Sequence, residues 1–313
     1  MPMEKLIRIG TRESKLAVWQ AEQVRSLLAA SGFEATLVYI RSQGDIDQKT
    51  PLYALGVQGI FTRALDMALL NDKIDIAVHS MKDLPVQLAK GIVQAAVLKR
   101  GPSNDLLVFK DEQSAQVLED TGLGPLPAFT VATGSIRRKA QWLNKYPVHR
   151  MEDLRGNVDT RLEKLKKGQW DAAIFAQAGL ERIGLRPKLS KVLDWMLPAP
   201  AQGAIMVVCK EEDSYSFEAC QAFHDADTAL CTKIERDFLS KLQGGCSTPI
   251  GALAELENDE IFFRGNMLSL DGKRKWAIEK ILPVEMAFYL GIEAGGELLN
   301  QGGLETADQI LND

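Results

Sequence analysis

Arginines stand at unusual places in this chain. They fall in short segments rich in glycine, serine and threonine: Arg12 within Thr11-Arg12-Glu13-Ser14, Arg137 and Arg138 within Gly134-Ser135-Ile136-Arg137-Arg138, Arg155 within Leu154-Arg155-Gly156-Asn157, and Arg161 after Thr160. The formal net charge is -5, so they belong to no general basic stripe. A guanidinium is a planar fork that meets a carboxylate or phosphate through parallel hydrogen bonds, and forks gathered at strand ends predict a ligand with several such groups. At Gly134–Arg138 a helix N-terminus suits an anion, while two arginines in its first turn oppose the dipole; the pair reads either as an anion site or as solvated surface. In Ser80-Met81-Lys82-Asp83-Leu84-Pro85, Asp83 could stabilise a cationic intermediate and move protons. The same stretch also reads as a plain turn in which Pro85 holds Leu84 extended. Gly244-Gly245-Cys246-Ser247-Thr248-Pro249 sets a thiol in a tight loop, either an accessible nucleophile or a small residue in a turn. His79, His149 and His224 have no metal-ligand spacing, and no metal site is expected. Phosphate-binding glycine loops, dinucleotide fingerprints and nucleophile elbows are missing from the sequence.

Elements must position these groups, and 313 residues with 46% hydrophobic and 25% charged content supply enough apolar material for two or three domains. Charge is uneven: residues 221–313 hold 8 Lys+Arg against 16 Asp+Glu, and the first 220 hold 29 against 26. The anion-binding surface is therefore expected in the first 220 residues. An excess that small argues against nucleic acid. No signal peptide and no membrane span is read, so the expected location is the cytoplasm. Cys209, Cys220, Cys231 and Cys246 lack CxxC spacing and are expected as reduced thiols, the first three as core packing.

Leu6 to Ile9 reads as a strand and Ser14 as the N-cap of a helix carrying Leu16, Trp19, Val24, Leu27 and Leu28. Thr36–Ile40, Ile74–Val78 and Ile92–Leu98 read as strands, with a helix at Phe61–Leu70. Strands alternating with helices predict βαβ units and a mainly parallel sheet. The pattern restarts with a strand at Phe129–Ala132, helices after Ser135 and at Thr160–Lys167, and a strand at Asp171–Phe175. In each half a helix opening with Thr-Arg precedes a strand opening with Asp, which predicts two lobes of like architecture and a ligand beyond the strands' carboxyl ends. Leu197–Ala201 reads as a crossover, after which Ile205–Cys209 could rejoin the first lobe. A helix at Thr228–Lys241, three antiparallel strands near Ala252–Glu257, Ile261–Gly265 and Ala277–Ile281, and a helix near Glu285–Leu299 then predict a small α+β unit.

Taken in order, several segments resemble the porphobilinogen deaminase (hydroxymethylbilane synthase) family nearly end to end: Arg8 to Ala17, Gly44-Asp45, His79 to Pro85, Ser135 to Arg138, Leu154 to Val158 with Thr160-Arg161-Leu162, Gln202-Gly203-Ala204, and Gly244-Gly245-Cys246. The resemblance implies an α/β fold of two lobes like type II periplasmic binding proteins plus a small C-terminal α+β domain, with boundaries at 1–102 and 199–220, 103–198, and 221–313. It implies the head-to-tail condensation of four porphobilinogen molecules into hydroxymethylbilane with release of ammonia, in tetrapyrrole (porphyrin and haem) biosynthesis. It further implies one dipyrromethane cofactor held by a thioether to Cys246, with Asp83 catalytic. Lys82, Asp83, Ser135, Arg137 and Arg138 would hold the cofactor, and Arg12, Ser14, Arg155 and Arg161 the substrate. A cytoplasmic monomer is implied, with porphobilinogen its small-molecule partner and neither nucleic acid nor membrane involved. The rival reading is a two-lobed anion-binding protein without catalysis. Some positions depart from the family. Ala54-Leu55-Gly56-Val57-Gln58-Gly59 lacks the Lys common in bacterial members, and Gln43 replaces a basic residue before Gly44. Gly134 stands where Ser is common, and Pro200-Ala201 replaces a more usual Val-Gly.

Overall fold

The computed structural model describes residues 5–41, 62–120, 129–245 and 248–303. Gln43, Gly44-Asp45, the loop at 54–59 and Cys246 lie outside the described residues. By contacts the described chain divides into two compact units, one of residues 5–41, 62–101 and 203–230, the other of 102–120, 129–202, 231–245 and 248–303.

The first unit holds β1 (Ile7–Thr11), α1 (Lys15–Ala30), β2 (Ala35–Tyr39), α2 (Arg63–Leu70), β3 (Ile76–Ser80) and β4 (Ile92–Val97). The chain returns to it at β10 (Ile205–Lys210), followed by α7 (Ser214–Gln221). The sheet order is β2-β1-β3-β10-β4, with β1 parallel to β2 and β3, and β10 antiparallel to both neighbours. Ile7, Ile9, Ile76, Val78 and Val207 meet Ala21, Val24 and Leu28 of α1 in one core. Cys209 and Cys220 are buried free thiols, and burial first, then nearby anionic groups, pushes them up to about 11 and about 12. They pack; they do not react.

The second unit contains β5 (Asp105–Phe109), α3 (Glu112–Asp120), β6 (Thr130–Ala132), α4 (Ile136–Lys145), β7 (Arg150–Glu152), α5 (Val158–Lys167), β8 (Ala172–Ala176), α6 (Gln177–Arg182) and β9 (Ser190–Leu193). Its order is β7-β6-β8-β5-β9, with β6 parallel to β7 and β8, and β5 antiparallel to β8 and β9. This is the first sheet's topology again, with β6, β7, β8, β5 and β9 in the slots of β1, β2, β3, β10 and β4. The internal likeness extends to single atoms. The Asp75 carboxylate accepts from the Arg8 N–H of β1 at 2.8 Å, and that of Asp171 accepts from the Thr130 N–H of β6 at 2.7 Å. Each aspartate's own N–H donates back to the carbonyl of the same partner. Two α/β lobes were thus readable in the sequence, but the expected mainly parallel sheets are mixed: one strand in each, β10 and β5, runs against its neighbours.

The second unit also contains α8 (Ala226–Lys241, whose first residues lie in the first unit), the antiparallel sheet β11 (Ile250–Glu257), β12 (Glu260–Leu268) and β13 (Lys275–Pro283), and α9 (Leu290–Leu298). Phe238 of α8 meets Phe263 of β12 edge to face at 5.2 Å. The expected last helix divides into a 3-10 turn at Val284–Tyr289 and α9. The fold is therefore two α/β lobes plus a small C-terminal α+β domain. The crossover to that domain is fastened through polar bonds. Gln141 clamps Leu197 through both its backbone groups at 3.0 and 2.9 Å, and the buried Glu235 of α8 accepts from Ala201 N–H at 2.6 Å and from Ala254 N–H at 2.8 Å.

Candidate active site

In the first lobe the candidate residues gather at the carboxyl edge of the sheet, because β1 and β3 are parallel neighbours whose carboxyl ends lie on the same side. Arg12 and Ser14 follow β1. Ser14 caps α1, its hydroxyl accepting from Ala17 N–H at 3.4 Å. After β3 the chain makes a 3-10 turn, Met81–Asp83. Met81 anchors the turn: its side chain is buried and its N–H donates to the carbonyl of Ala204 at 3.0 Å. Ser80 is pinned from the side by Gln20 of α1 at 2.8 Å. Held this way, Lys82 is half-buried and the Asp83 carboxylate is exposed. His79 is buried in the strand, and burial and then the charge of Arg12 push its imidazole down to about 4, so it is neutral at physiological pH. Its burial gives it a packing role.

In the second lobe the loops after β6 and β7 meet at the corresponding edge. Ser135 caps α4, accepting from Arg138 N–H at 3.5 Å. Asn157 caps α5, accepting from the Thr160 N–H at 3.0 Å and its hydroxyl at 2.7 Å. Gly156 precedes that cap at φ +114°, a left-handed conformation that favours glycine. Its carbonyl accepts from Arg161 Nε at 2.7 Å, which ties Arg161 to the loop that carries Arg155. Gly134 is there for room: a Cβ would sit 2.6 Å from the Leu154 carbonyl oxygen and 4.0 Å from Arg155 Cδ. The departure from the family's serine therefore lets the two arginine loops close on each other.

Of the two readings of Arg137 and Arg138, burial excludes solvated surface. They are 4% and 5% exposed and share the fully buried carboxylate of Asp105. Arg137 Nη2 donates to one oxygen at 2.8 Å, and Arg138 donates to the other from Nε at 3.1 Å and Nη2 at 2.8 Å. Burial works to raise the Asp105 pKa, but the two guanidinium charges and the bonds it accepts outweigh it and hold the carboxyl well below the usual range. The Arg137 pKa moves down because burial outweighs its pairing. Two cations share one anion here, so the cluster keeps a positive excess, and the buried Arg137 Nε has no hydrogen-bond partner among the described residues. Those features fit an anionic group at this helix N-terminus. Sequence reasoning missed Asp105, and also Arg182 at the end of α6, whose guanidinium burial pulls down to about 10. Arg182 closes the short helix that follows β8 directly.

Cys246 itself is outside the described residues, but its flanks are well fixed. Thr248 closes on Gly245, accepting from its N–H at 3.1 Å and donating to its carbonyl at 2.8 Å. Among the described residues no group of His, Cys, Asp and Glu could hold a metal ion, and no helix is long and apolar enough to cross a membrane.

Residues 7–218 match the family model described as "Porphobilinogen deaminase, dipyromethane cofactor binding domain", and residues 229–300 that of "Porphobilinogen deaminase, C-terminal domain". The chain belongs to the porphobilinogen deaminase family. Within that family it is 39% identical over 304 residues to a "Probable porphobilinogen deaminase" of Methanocella arvoryzae, covering 97% of this chain and 98% of that one. It is 40% identical over 309 residues to a protein of the same description from Methanosarcina barkeri, covering 97% and 95%. Among solved structures it resembles the ligand-binding core of GluR0 in complex with L-glutamate, at 14% identity and a TM-score of 0.40, over 71% of this chain and 91% of that chain. The family places this chain in tetrapyrrole synthesis with a dipyrromethane cofactor and porphobilinogen as the small-molecule substrate.

Proposed function

We propose that this chain is a hydroxymethylbilane synthase that joins four porphobilinogen molecules head to tail, releasing one ammonia at each addition, from a dipyrromethane held by a thioether to Cys246. The carrying observation is the second-lobe cluster: two buried guanidiniums with one counter-ion at a helix N-terminus, inside the matched cofactor-binding domain, keep a positive excess that suits a ligand bearing carboxylates. Each pyrrole of such a ligand bears an acetate and a propionate arm. Arg137 and Arg138, with Ser135 and Lys82, would hold those of the cofactor. Arg12, Ser14, Arg155 and Arg161 would hold those of the incoming substrate.

When bound, the cofactor supplies a nucleophilic terminal pyrrole carbon. Loss of ammonia leaves the substrate's pyrrole methylene electron-poor and cationic. Asp83, exposed on a turn that buried Met81 fixes, would stabilise that charge. Each addition forms one carbon–carbon bond, breaks one carbon–nitrogen bond and displaces a pyrrole-carbon proton, which Asp83 would accept and pass on. A tether through Cys246 would make every addition effectively intramolecular. The three-domain boundaries at 102–103, 198–199 and 220–221, a monomeric state and a cytoplasmic location complete the proposal.

The test is stoichiometry. Incubated with porphobilinogen, the purified chain should consume four molecules and release four of ammonia per hydroxymethylbilane. Asp83→Ala should keep the parent far-UV circular dichroism and lose at least about a hundredfold in turnover. Binding of porphobilinogen without release of ammonia would contradict the proposal, and parent turnover in the variant would contradict the role of Asp83.

A further inference from the structure

Asp105 is the first residue of β5 and is held on both sides, opposite Ala176 of β8 and Leu193 of β9. Its side chain is entirely enclosed. One oxygen serves Arg137; the other serves Arg138 and Gln202 Nε2, the latter at 2.8 Å. The far sides of both forks are fixed as well. Arg137 Nη1 donates to the Leu197 carbonyl at 2.7 Å and Arg138 Nη1 to that of Ile174 at 3.1 Å. The carboxylate therefore sets the orientation of two guanidiniums that start the same helix, and it halves their charge. A guanidinium pair without it would carry two positive charges in a site closed to bulk water, where any small anion is attracted.

We propose that Asp105 is a positioning residue for ligand capture: it fixes the forks of Arg137 and Arg138 and leaves them a single positive charge in excess, so that the pair accepts a carboxylate arm of a pyrrole ligand in preference to simple inorganic anions. The inference rests on the reading of these arginines as cofactor-binding. It goes beyond that reading by giving a buried side chain, which need not touch the ligand, control over which anion enters.

The full chain is tested as parent, Asp105→Asn and Asp105→Glu. The readout is the rate at which cofactor-free chain gains pyrrole mass on exposure to porphobilinogen, followed by intact mass spectrometry. Chloride is compared with a bulky sulfonate at equal ionic strength. The parent should load at one rate in both salts. Asp105→Asn, folded by circular dichroism, should load about tenfold slower in chloride and recover in the sulfonate, because chloride occupies the uncompensated pair. A merely structural role would give no anion-specific effect. Folded Asp105→Asn that loads at the parent rate with the parent's indifference to chloride overturns the proposal. Should Asp105→Asn not fold, Asp105→Glu decides. It keeps the charge and moves the carboxylate by one methylene, so slower loading without chloride sensitivity is expected; parent-rate loading would overturn the fixed geometry, and chloride sensitivity the charge argument. A parent chain that gains no pyrrole mass at all would instead remove the cofactor reading on which this one stands.

Discussion

Returning the family's serine to position 134 should damage this protein. The Cβ would lie 2.6 Å from the Leu154 carbonyl oxygen, 0.8 Å short of the 3.4 Å at which ordinary contact begins. The neighbour is backbone, so no rotamer change relieves the clash, and Leu154 is itself buried in the lobe core. Either the β6–α4 loop or the segment after β7 must move. Overpacking of this kind costs roughly 1–3 kcal/mol. For a unit of this size, about 2 kcal/mol lowers Tm by about 4–8 °C. The displaced segment carries Arg155 and, through the Gly156 carbonyl, Arg161. A misplacement near 1 Å costs about a hundredfold in rate, so a shift of several tenths should slow hydroxymethylbilane formation about tenfold. Differential scanning calorimetry and a single-turnover assay measure the two effects. Gly134→Ala should behave like Gly134→Ser, because the clash comes from Cβ. Parent Tm and parent rate in both variants would refute the close-approach argument.

Substitutions at two further positions test the frame. Ala201 adopts φ 61°, a conformation that costs a non-glycine residue about 1–2 kcal/mol, and is fully buried. Ala201→Gly relieves that cost but loses a buried methyl of about 0.8 kcal/mol and gains unfolded-state freedom of about 0.4–1 kcal/mol, so its stability should lie within about 0.8 kcal/mol of the parent. Ala201→Val should lose several times as much, a contrast that urea unfolding resolves. In the first unit, burial works to raise the Asp75 pKa, but bonds from Arg8 and Lys5 outweigh it and bring it down to about 2 from 3.8. A carboxyl depressed on folding stabilises above its unfolded pKa and loses that contribution as pH falls through the folded value. Parent minus Asp75→Asn should therefore be about 2 kcal/mol at pH 7 and shrink between about pH 4 and pH 2; a difference that stays constant across that window would contradict the assignment.

Much of the frame was legible because it rests on local signals. Ser14 capping α1, the apolar stripe of α1, and the paired Thr-Arg and Asp openings all mark elements found in place. β5 escaped because both of its faces are buried: Leu106 and Val108 join one core and Leu107 and Phe109 the other, so the strand shows no alternation to read. Strand direction was hidden for a similar reason, since an apolar run looks alike whether it runs with or against its neighbours. At the site, the arginine segments and the Asp83 turn were visible as residue types in glycine-rich and serine-rich surroundings. The destination of Arg137 and Arg138 was not, because their counter-ion lies 32 and 33 residues away in sequence. The reasons for Gly134 and for the strain at Ala201 likewise depend on backbone atoms brought together only by the fold.

The central claim is that Cys246 carries a covalent pyrrole primer, and intact mass of the purified chain tests it most directly. The parent should be heavier than its sequence by two condensed pyrrole units, and Cys246→Ala should show the bare sequence mass. A parent chain at bare mass, or an excess that survives Cys246→Ala, would contradict the account.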